Sequence, residues 1–416
     1  MRIAYCIRAV FPQHGYGGLE RAGTDLMKEL LSQGVDCDLL TRRLPRSEPV
    51  RIGRGTGRLR VHTVEYGKLP LRANGIPARL TNYRSFVEKV GQRVMGLARS
   101  GIIDGIYAHG LCAWGVRRAG EWGVPLVVNP HGLEEFKSTD RLKHLAYTPF
   151  RKWMRDAGRV ADRVIATDAA MRDDVARLLK IDPRKVVVLP NGIDLSVVSA
   201  HTETRQQSEL IERWPFLLGS GGLRGVSVGR LEQNKGFEFL VRALGTAKGR
   251  LGPNWGWIIV GDGTLRAQLE SLSGELGLQG HLFFAGHLSE SELHNLYELS
   301  NLFAHASLFE GSSLVTLEAM AHGLPVVASV VGGIPDKVTN GVNGFLVEPG
   351  DGSALAEKIS WLATHHEERT EMGKRSSLSV QRFDWREIAD DTKQLLEMLV
   401  LERAACRDSE VLPRAL

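Results

Sequence analysis

Two glutamates in the second half of the chain have a spacing that suits a ligand with hydroxyl groups at both ends. Glu310 and Glu318 enclose seven residues in the run SLFEGSSLVTLEAMAHGLP. The apolar spacing after the small turn predicts a helix over 313–322, whose unpaired N-terminal amides can hold a phosphate. The backbone at this turn and helix start belongs to Gly311, Ser312, Ser313 and Leu314. Because carboxylates accept hydrogen bonds from hydroxyls, the block predicts a site for a sugar nucleotide.

The same spacing also arises where a solvated loop glutamate precedes an ordinary helical carboxylate. Two cations in the run SVGRLEQNKG suit the ligand site, and they suit equally an ordinary solvated surface. Arg230 offers a bidentate fork and Lys235 a mobile point charge, and together they can neutralise a diphosphate leaving group. Gly261, in the run VGDG, fits equally a strand end beside a ligand and a simple turn.

The first half of the chain contributes small residues and histidines at predicted strand ends. Gly17 and Gly18 follow the first apolar run, where paired glycines let a backbone approach a phosphate or simply form a turn. No GxGxxG follows that run, so the dinucleotide fingerprint is missing. His109 and His131 end the runs GIYAH and PLVVNPH, where an imidazole can donate to a sugar hydroxyl or orient an acceptor.

These residues require a scaffold of parallel strands. Short apolar runs alternate with amphipathic stretches throughout, which predicts an α/β fold with two doubly wound domains. The polar stretch HTETRQQSELIERW interrupts this rhythm and marks a domain boundary. The predicted order is a first domain (1–195), a linker (196–224), a second domain (225–384), a C-terminal helix (385–403) and a polar tail (404–416).

Charge differs between the halves of the chain. Residues 1–190 hold 33 Lys and Arg against 19 Asp and Glu, a balance of +14, whereas the rest, with 20 against 29, has a balance of −9. A basic half can hold an anionic membrane surface or an acidic acceptor, or it can be an ordinary solvated surface. Nucleic acid is the least favoured partner, and we expect none, because no recognition motif accompanies the arginines. No apolar run is long enough to span a bilayer or to act as a secretory signal, so we expect a cytoplasmic protein.

The order and spacing of several short motifs together resemble the retaining glycosyltransferases of family 4, across most of the chain. The motifs are GGLE at 17–20, His131, DRVIAT at 162–167, PNGID at 190–194, VGRL at 228–231 with Lys235-Gly236, VGDG at 260–263, the Glu310/Glu318 pair, GLPVVA at 323–328 and GFLVEPG at 344–350. The resemblance implies the GT-B fold, in which two Rossmann-like domains face a central cleft. It implies that the first domain binds the acceptor, that the second binds the nucleotide sugar, and that the helix at 385–403 returns to the first domain.

The resemblance also implies roles. Gly17, Gly18 and Gly261 would lie near the donor, and Arg230 and Lys235 would neutralise its diphosphate. Glu310 would bind hydroxyls of the transferred sugar and Glu318 those of the ribose, while the backbone of Ser312, Ser313 and Leu314 would support sugar and phosphate. The implied catalytic set is His131, Glu310, Arg230 and Lys235, with His109 as an acceptor-side candidate. Ser312-Ser313 stands where many relatives carry Phe-Gly.

The expected activity is transfer of a sugar from a nucleotide-diphosphate sugar to a hydroxyl of a saccharide, lipid-linked or small-molecule acceptor, in cell-envelope polysaccharide or glycolipid synthesis. No metal or other cofactor is expected, and peripheral contact with an anionic membrane would suit the basic half. Two alternatives remain open: a sugar-nucleotide epimerase on the same fold, and a non-catalytic sugar-nucleotide-binding protein.

Overall fold

The computed structural model describes residues 1–14, 17–44, 55–65, 76–137, 141–200, 204–219, 222–252 and 254–411. Parts of three predicted features lie outside these residues: Arg46, Arg51 and Arg54 of the basic half, residues 201–203 and 220–221 of the linker, and residues 412–416 of the tail.

Short strands follow the apolar runs of the sequence. In chain order they are β1 (Arg2–Cys6), β2 (Asp36–Arg42), β3 (Leu59–Val64), β4 (Gly105–His109), β5 (Leu126–Asn129), β6 (Arg163–Ala166), β7 (Val186–Val188), β8 (Arg224–Val228), β9 (Gly256–Val260), β10 (Leu282–Gly286), β11 (Leu302–His305), β12 (Val326–Ser329) and β13 (Gly344–Val347).

Helices form the amphipathic stretches between the strands. In chain order they are α1 (Gly18–Ser32), α2 (Ile76–Arg99), α3 (Cys112–Gly115), α4 (Glu134–Lys137), α5 (Arg141–Ala146), α6 (Thr148–Val160), α7 (Arg172–Leu179), α8 (Leu195–Ala200), α9 (Thr204–Arg213), α10 (Phe237–Ala247), α11 (Arg266–Glu275), α12 (Glu290–Leu299), α13 (Leu314–Ala321), α14 (Gly352–Thr364), α15 (His366–Ser379) and α16 (Trp385–Val411).

The chain divides into two compact units, residues 1–191 with 385–416, and residues 192–384. In the first unit the strand order is β3-β2-β1-β4-β5-β6-β7, and in the second it is β10-β9-β8-β11-β12-β13. The strand pairs are parallel in both sheets. Each order reverses beside the unit's first strand, as in a doubly wound nucleotide-binding sheet. The predicted α/β class with two doubly wound domains is therefore confirmed.

Helices cover both faces of the second sheet, which explains its continuous apolar strands. All five residues of β9 are buried, and they alternate between two cores: Trp257 and Ile259 pack on one face, Ile258 and Val260 on the other. A strand buried on both faces shows no polar alternation, because neither side meets water. This burial leaves the strand ends and their loops as the place for polar chemistry.

The structure differs from the predicted linker and tail. Helix α9 and the turn after it belong to the second unit, because Leu210, Trp214 and Leu217 bury their side chains in its core. The amphipathic spacing of these three residues outweighs the polar composition of the stretch. Helix α16 continues past residue 403 to Val411 and lies in the first unit. None of the helices in the described ranges has the length and apolar character needed to cross a bilayer.

Candidate functional site

The loops after β8 and β11 meet where the strand order of the second sheet reverses. The carbonyl of Asn234 accepts hydrogen bonds from the backbone amides of Leu308 (2.9 Å) and Phe309 (3.2 Å). Gly236 has φ 63°, and a Cβ there would lie 2.0 Å from the carbonyl oxygen of Ala306. Only glycine permits this approach. The two loops are thus held together at the edge where open α/β sheets bind ligands.

Four side chains converge at that edge. Lys235 Nζ lies 2.6 Å from Glu310 Oε2, and His305 Nε2 lies 2.8 Å from the same oxygen. Ser307 Oγ lies 3.1 Å from His305 Nε2 and 3.4 Å from Glu310 Oε2. A carboxylate only accepts hydrogen bonds, so Nε2 of His305 carries the proton. We call Lys235, His305, Ser307 and Glu310 the carboxylate cluster.

The cluster keeps Glu310 ionised. Burial alone would raise the pKa of the Glu310 carboxyl, but the hydrogen bond from His305 and the positive charge of Lys235 outweigh it and hold the pKa well below its usual range. All these bonds go to Oε2; within the described part of the chain, Oε1 has no hydrogen-bond partner. The carboxylate is fixed through one oxygen and keeps the other as an acceptor for a hydroxyl.

Arg230 lies in the same loop but outside the cluster. Its guanidinium pairs with Glu232 at 2.8 Å, and 63% of its side chain is exposed. An exposed ion pair of this kind contributes only about 0–1 kcal/mol, so a bound anion can displace it. The predicted joint action of Arg230 and Lys235 on one diphosphate stays a prediction.

A second glycine-containing loop packs against the turn before α13. The amide of Gly333 donates to the carbonyl of Gly311 (2.8 Å), and a Cβ at Gly332 would lie 2.2 Å from the carbonyl oxygen of Glu310. Lys337, 1% exposed, donates to Ser312 Oγ and to the carbonyl of Gly333, both at 3.1 Å. This buried lysine ties the two loops together.

The predicted helix over 313–322 is observed as α13, with Ser313 at its N-cap. Ser313 is buried, and its hydroxyl accepts a hydrogen bond from Thr316 Oγ1 (2.9 Å). The first amides of the helix, beginning at Leu314, have no partners within the helix itself. Glu318 lies on α13, 4% exposed, and accepts a hydrogen bond from the Tyr297 hydroxyl at 3.2 Å.

The three predicted glycines differ in whether the packing of the backbone requires a residue without a side chain. Gly261 has φ 128°, and a Cβ there would lie 2.0 Å from the carbonyl oxygen of Gly229. Close packing of two strand ends therefore accounts for this glycine. Gly17 is the N-cap of α1 with φ −75°, and a Cβ there would meet only the flexible end of Glu20. A Cβ at Gly18 would meet no described atom within 4 Å. Packing requires glycine at neither of these two positions.

His109 and His131 form a pair in the first unit. Nδ1 of His109 lies 2.8 Å from Nε2 of His131, and the rings stack at 5.0 Å. His131 has φ 57°, an uncommon conformation for this residue, and its amide donates to Asn129 Oδ1 at 3.0 Å. His109 ends β4 and faces Tyr5, whose ring lies 4.8 Å away. We call His109 and His131 the histidine pair.

Both members of the histidine pair are buried and neutral. Burial lowers the pKa of His131 to about 4. Burial, followed by the proximity of His131, lowers the pKa of His109 well below its usual value. The pair can therefore exchange hydrogen bonds without carrying charge at neutral pH.

Sequence reasoning missed His305 and Lys337. His305 ends the run NLFAH, the same signal that drew attention to His109 and His131. Lys337 carries no such signal, because its burial follows from tertiary packing. In the part of the chain that the structure describes, no group of three or more His, Cys, Asp or Glu side chains forms a metal site. That the protein needs no metal or other cofactor stays a prediction.

Two protein-family models match the chain. The model described as Glycosyltransferase Family 4 matches residues 16–197, and the model described as Glycosyl transferases group 1 matches residues 212–378. The first match spans β2 to β7 of the first sheet, and the second match spans all six strands of the second sheet.

Curated relatives agree with these matches. The D-inositol 3-phosphate glycosyltransferase of Stackebrandtia nassauensis is 26% identical over 391 residues, which cover 90% of this chain and 85% of the relative. The enzyme of the same name from Acidothermus cellulolyticus is 28% identical over 383 residues, covering 89% and 83%.

Solved structures share the fold. Sucrose-phosphate synthase from Thermosynechococcus elongatus has a TM-score of 0.77 at 22% identity, covering 96% of this chain and 99% of that one. Anabaena HepE in complex with UDP-glucose has a TM-score of 0.71 at 23% identity, covering 96% and 100%. The predicted GT-B fold is thus confirmed.

Proposed function

Because the chain belongs to the family-4 glycosyltransferases, we propose that it moves a sugar from a nucleotide-diphosphate sugar to a hydroxyl acceptor with retention of anomeric configuration. The carboxylate cluster at the strand-order reversal of the second sheet carries this proposal. It supplies an ionised acceptor at Glu310 and a cation at Lys235, beside the N-terminus of α13. A phosphorylated sugar needs these three features, since its hydroxyls donate and its phosphates attract cations and amides.

In the proposed complex, Glu310 accepts hydroxyl hydrogen bonds of the transferred sugar through Oε1, while Oε2 stays bound to Lys235 and His305. The amides from Ser312 to Leu314 face the phosphates. Lys235 and Arg230 stabilise the negative charge that develops on the diphosphate as the glycosidic bond breaks. Glu318 binds the ribose hydroxyls, and the backbone at Gly17 and Gly18 leaves room for the donor.

Retention follows in this proposal from attack on the same face that the diphosphate leaves. The leaving phosphate takes the proton of the acceptor hydroxyl, so we assign no protein side chain as general base. His131 contacts the transferred sugar as a neutral imidazole. Its low pKa supports this role, since a neutral imidazole can donate a hydrogen bond to a sugar oxygen without adding charge to the site.

We propose a UDP-sugar as donor and an acceptor that carries an anionic group. Anabaena HepE has been solved with UDP-glucose, and two relatives of this chain are named D-inositol 3-phosphate glycosyltransferases. In the first unit, Arg8 and Arg42 both lie close enough to lower the pKa of His14, after the larger effect of burial. Arg42 ends β2, and Arg8 follows β1 by two residues and also lies 3.7 Å from a carboxylate oxygen of Glu20. These two guanidinium groups support binding of an anion.

Donor choice is tested by thermal shift with UDP-, GDP- and ADP-sugars, since a ligand that binds only the folded state raises its melting temperature. We expect the largest shift with UDP-sugars. Lys235→Ala should abolish the shift, whereas Lys374→Ala, an exposed residue of α15, should leave it intact. A shift that survives Lys235→Ala would refute the proposed donor site.

Turnover is tested by product analysis with and without a second substrate. We expect no change in a purified UDP-sugar alone, and a glycoside of unchanged anomeric configuration by NMR once a suitable acceptor is added. Conversion of the sugar nucleotide alone would instead identify an epimerase. Binding with no turnover in any acceptor mixture would identify a non-catalytic protein.

We also propose peripheral contact with anionic membranes, in keeping with a cell-envelope saccharide or glycolipid acceptor. Leu142 and Leu145 of α5 are 80% and 72% exposed, and α6 presents Lys152 and Arg159 to solvent. Exposed leucines on one helix and exposed basic side chains on the following helix suit an anionic lipid surface. In sedimentation with phosphatidylglycerol vesicles, Leu142→Ser with Leu145→Ser should lose binding, while Leu378→Ser, 73% exposed on α15, should retain it. Equal binding of both variants would contradict the proposal.

A further inference from the structure

His109 has one ring nitrogen that the histidine pair does not use. Nε2 of His109 is buried and has no hydrogen-bond partner among the residues that the structure describes. A small pocket adjoins the ring, with a volume of about 10 Å³, enough for one water molecule. His109 and His131 line it together with Tyr107, Asn191 and Thr392.

The distribution of protons in the pair has two possible forms. Either His109 Nδ1–H donates to His131 Nε2, or His131 Nε2–H donates to His109 Nδ1. The second form would leave His109 with a buried N–H that has no protein acceptor, whereas the first leaves only an unused lone pair. Buried N–H groups without partners are rarer than buried acceptors without partners, so the first form is favoured.

We propose that His109 is a positioning residue that fixes the tautomer of His131: His109 Nδ1–H donates to His131 Nε2, and His131 carries its proton on Nδ1. The inference rests on the role proposed for His131 at the donor sugar. His131 then presents Nδ1–H as a hydrogen-bond donor, which a sugar oxygen accepts. The ring nitrogen that carries the proton in a histidine is set by the bond made at the other nitrogen.

Three observations support this assignment beyond the 2.8 Å contact. The rings stack at an interplanar angle of 21°, so His131 cannot turn without losing its partner. The backbone of His131 is held at φ 57° by the hydrogen bond that its amide donates to the side chain of Asn129. Asn129 is itself held by Tyr107, at 3.2 Å between Nδ2 and the hydroxyl. An uncommon backbone conformation fixed on several sides is typical of a position that must aim a side chain.

The pocket gives His109 Nε2 a partner. A water molecule there can donate to the lone pair of Nε2, which completes the hydrogen bonds of the first form. The hydroxyl of Thr392 lines the same pocket while donating to the carbonyl of Ile388 at 2.7 Å, and so leaves its own lone pairs for the water.

The tautomer is measured by NMR of the full chain with ¹⁵N-labelled histidine at pH 7, with no donor or acceptor present. We expect His131 to show a protonated Nδ1 and an unprotonated Nε2, against the preference of a free histidine side chain for Nε2–H. A coupling across the hydrogen bond from His109 Nδ1 to His131 Nε2 is expected in the wild type and needs no variant. A protonated Nε2 on His131 would overturn the proposal.

Two variants of equal size separate the hydrogen bond from packing. In His109→Asn the amide nitrogen takes the place of Nδ1 and still donates, so the His131 tautomer should be kept. In His109→Leu the donor is absent, and His131 should revert towards Nε2–H. His365→Leu, in the second unit, should leave the His131 signals unchanged. An unchanged His131 tautomer in His109→Leu would refute the assignment.

The catalytic consequence is read from kinetics with UDP-glucose and any acceptor that supports turnover in the wild type. His109→Leu should lower kcat about ten- to a hundredfold with little change in donor KM, the range found for groups that orient a ligating histidine. His109→Asn should restore most of the loss. A leucine variant with normal kcat would overturn the link to catalysis. If no acceptor supports turnover, the proposed function fails and the NMR result still decides the tautomer.

Discussion

The two sheets place a histidine at the same topological position and give it different partners. His109 ends β4 and His305 ends β11, and each of these strands pairs with the first strand of its own sheet. His305 donates to the carboxylate of Glu310, which is also paired with Lys235. His109 faces the neutral ring of His131. The comparison shows that the strand end supplies a position, and the neighbouring side chain decides the chemistry.

The partner also sets the electrostatics. In the second unit, hydrogen bonds and a nearby cation keep a buried carboxylate charged. In the first unit, burial without a counter-ion keeps two imidazoles neutral. A charged cluster suits a diphosphate sugar, whereas a neutral pair suits hydrogen bonding to sugar oxygens without attracting charge.

Removal of the charge of Glu310 should have the largest effect. Glu310→Gln keeps the shape but leaves Lys235 without its carboxylate and weakens the acceptor for sugar hydroxyls. We expect kcat/KM to fall about 10²- to 10³-fold, as for loss of one preorganised polar group in an active site. Steady-state kinetics measure the loss, with the exposed Glu371→Gln of α15 as the matched control. Wild-type activity in Glu310→Gln would show that the cluster is structural.

As the pH falls, the stability that the histidine pair contributes should be lost at a higher pH than the stability that the carboxylate cluster contributes. The folded-state pKa of His131 is about 4, below its unfolded value of 6.5, so the unfolded chain binds more protons between these values and stability falls as pH drops through that window. The 2.5-unit difference corresponds to roughly 3 kcal/mol. The pKa of Glu310 is also depressed, so its contribution to stability is lost only below about pH 4.5.

Denaturant unfolding from pH 7 to pH 4 measures this difference. His131→Asn is a suitable variant because asparagine tolerates the left-handed backbone at this position. We expect its stability to fall less than that of the wild type between pH 6.5 and 4. Parallel pH curves for the two proteins would contradict the buried, neutral state of His131.

Alanine at two of the predicted glycines should separate packing from ligand binding. Gly261→Ala forces a Cβ against the carbonyl of Gly229 at φ 128°, so we expect a loss of about 1–3 kcal/mol in the free energy of unfolding. Gly18→Ala meets no described atom, so stability should stay within about 0.5 kcal/mol while donor KM rises. A stability loss in Gly18→Ala, with donor KM unchanged, would assign that glycine to packing as well.

Replacement of the buried Lys337 should have the smallest effect. Lys337→Met fills a similar volume but removes the hydrogen bond to Ser312, so donor KM should rise about three- to tenfold, the value of one such bond. Stability should be kept or improved, as when buried charges are replaced by apolar side chains. Lys358→Met is the matched control, since both lysines also lie over a phenylalanine ring. Equal donor KM in both variants would show that the bond to Ser312 does not matter.

The sequence predicted the elements better than the contacts between distant loops. Strands such as GWIIV and LFAH are evident because burial on both faces demands continuous apolar residues. Helix α13 follows from its apolar spacing and from the small residues before it. Parallel strands with helical crossovers bring their carboxyl ends to one edge, so Lys235 and Glu310 could be expected there although they are 75 positions apart in the chain.

Other features depend on tertiary packing and could not be foreseen. The pairing of Arg230 with Glu232 depends on a side-chain choice at the surface. The use of His305 to hold Glu310 requires the loop after β11 to fold back towards the strand end, which no spacing rule shows. Lys337 becomes a brace only because two glycine-containing loops pack over it. The apolar face of α9 was not evident from the sequence. Its buried residues, such as Leu210, and Trp214 just after the helix stand among many polar and charged residues.

The binding of UDP-glucose to Lys235→Met, measured by calorimetry without acceptor, tests the central claim most directly. The account predicts that the wild type and Lys374→Met bind alike, and that Lys235→Met binds at least about tenfold more weakly, because it loses one charge-assisted contact. Equal affinity in all three proteins would contradict a donor site built on Lys235 and Glu310.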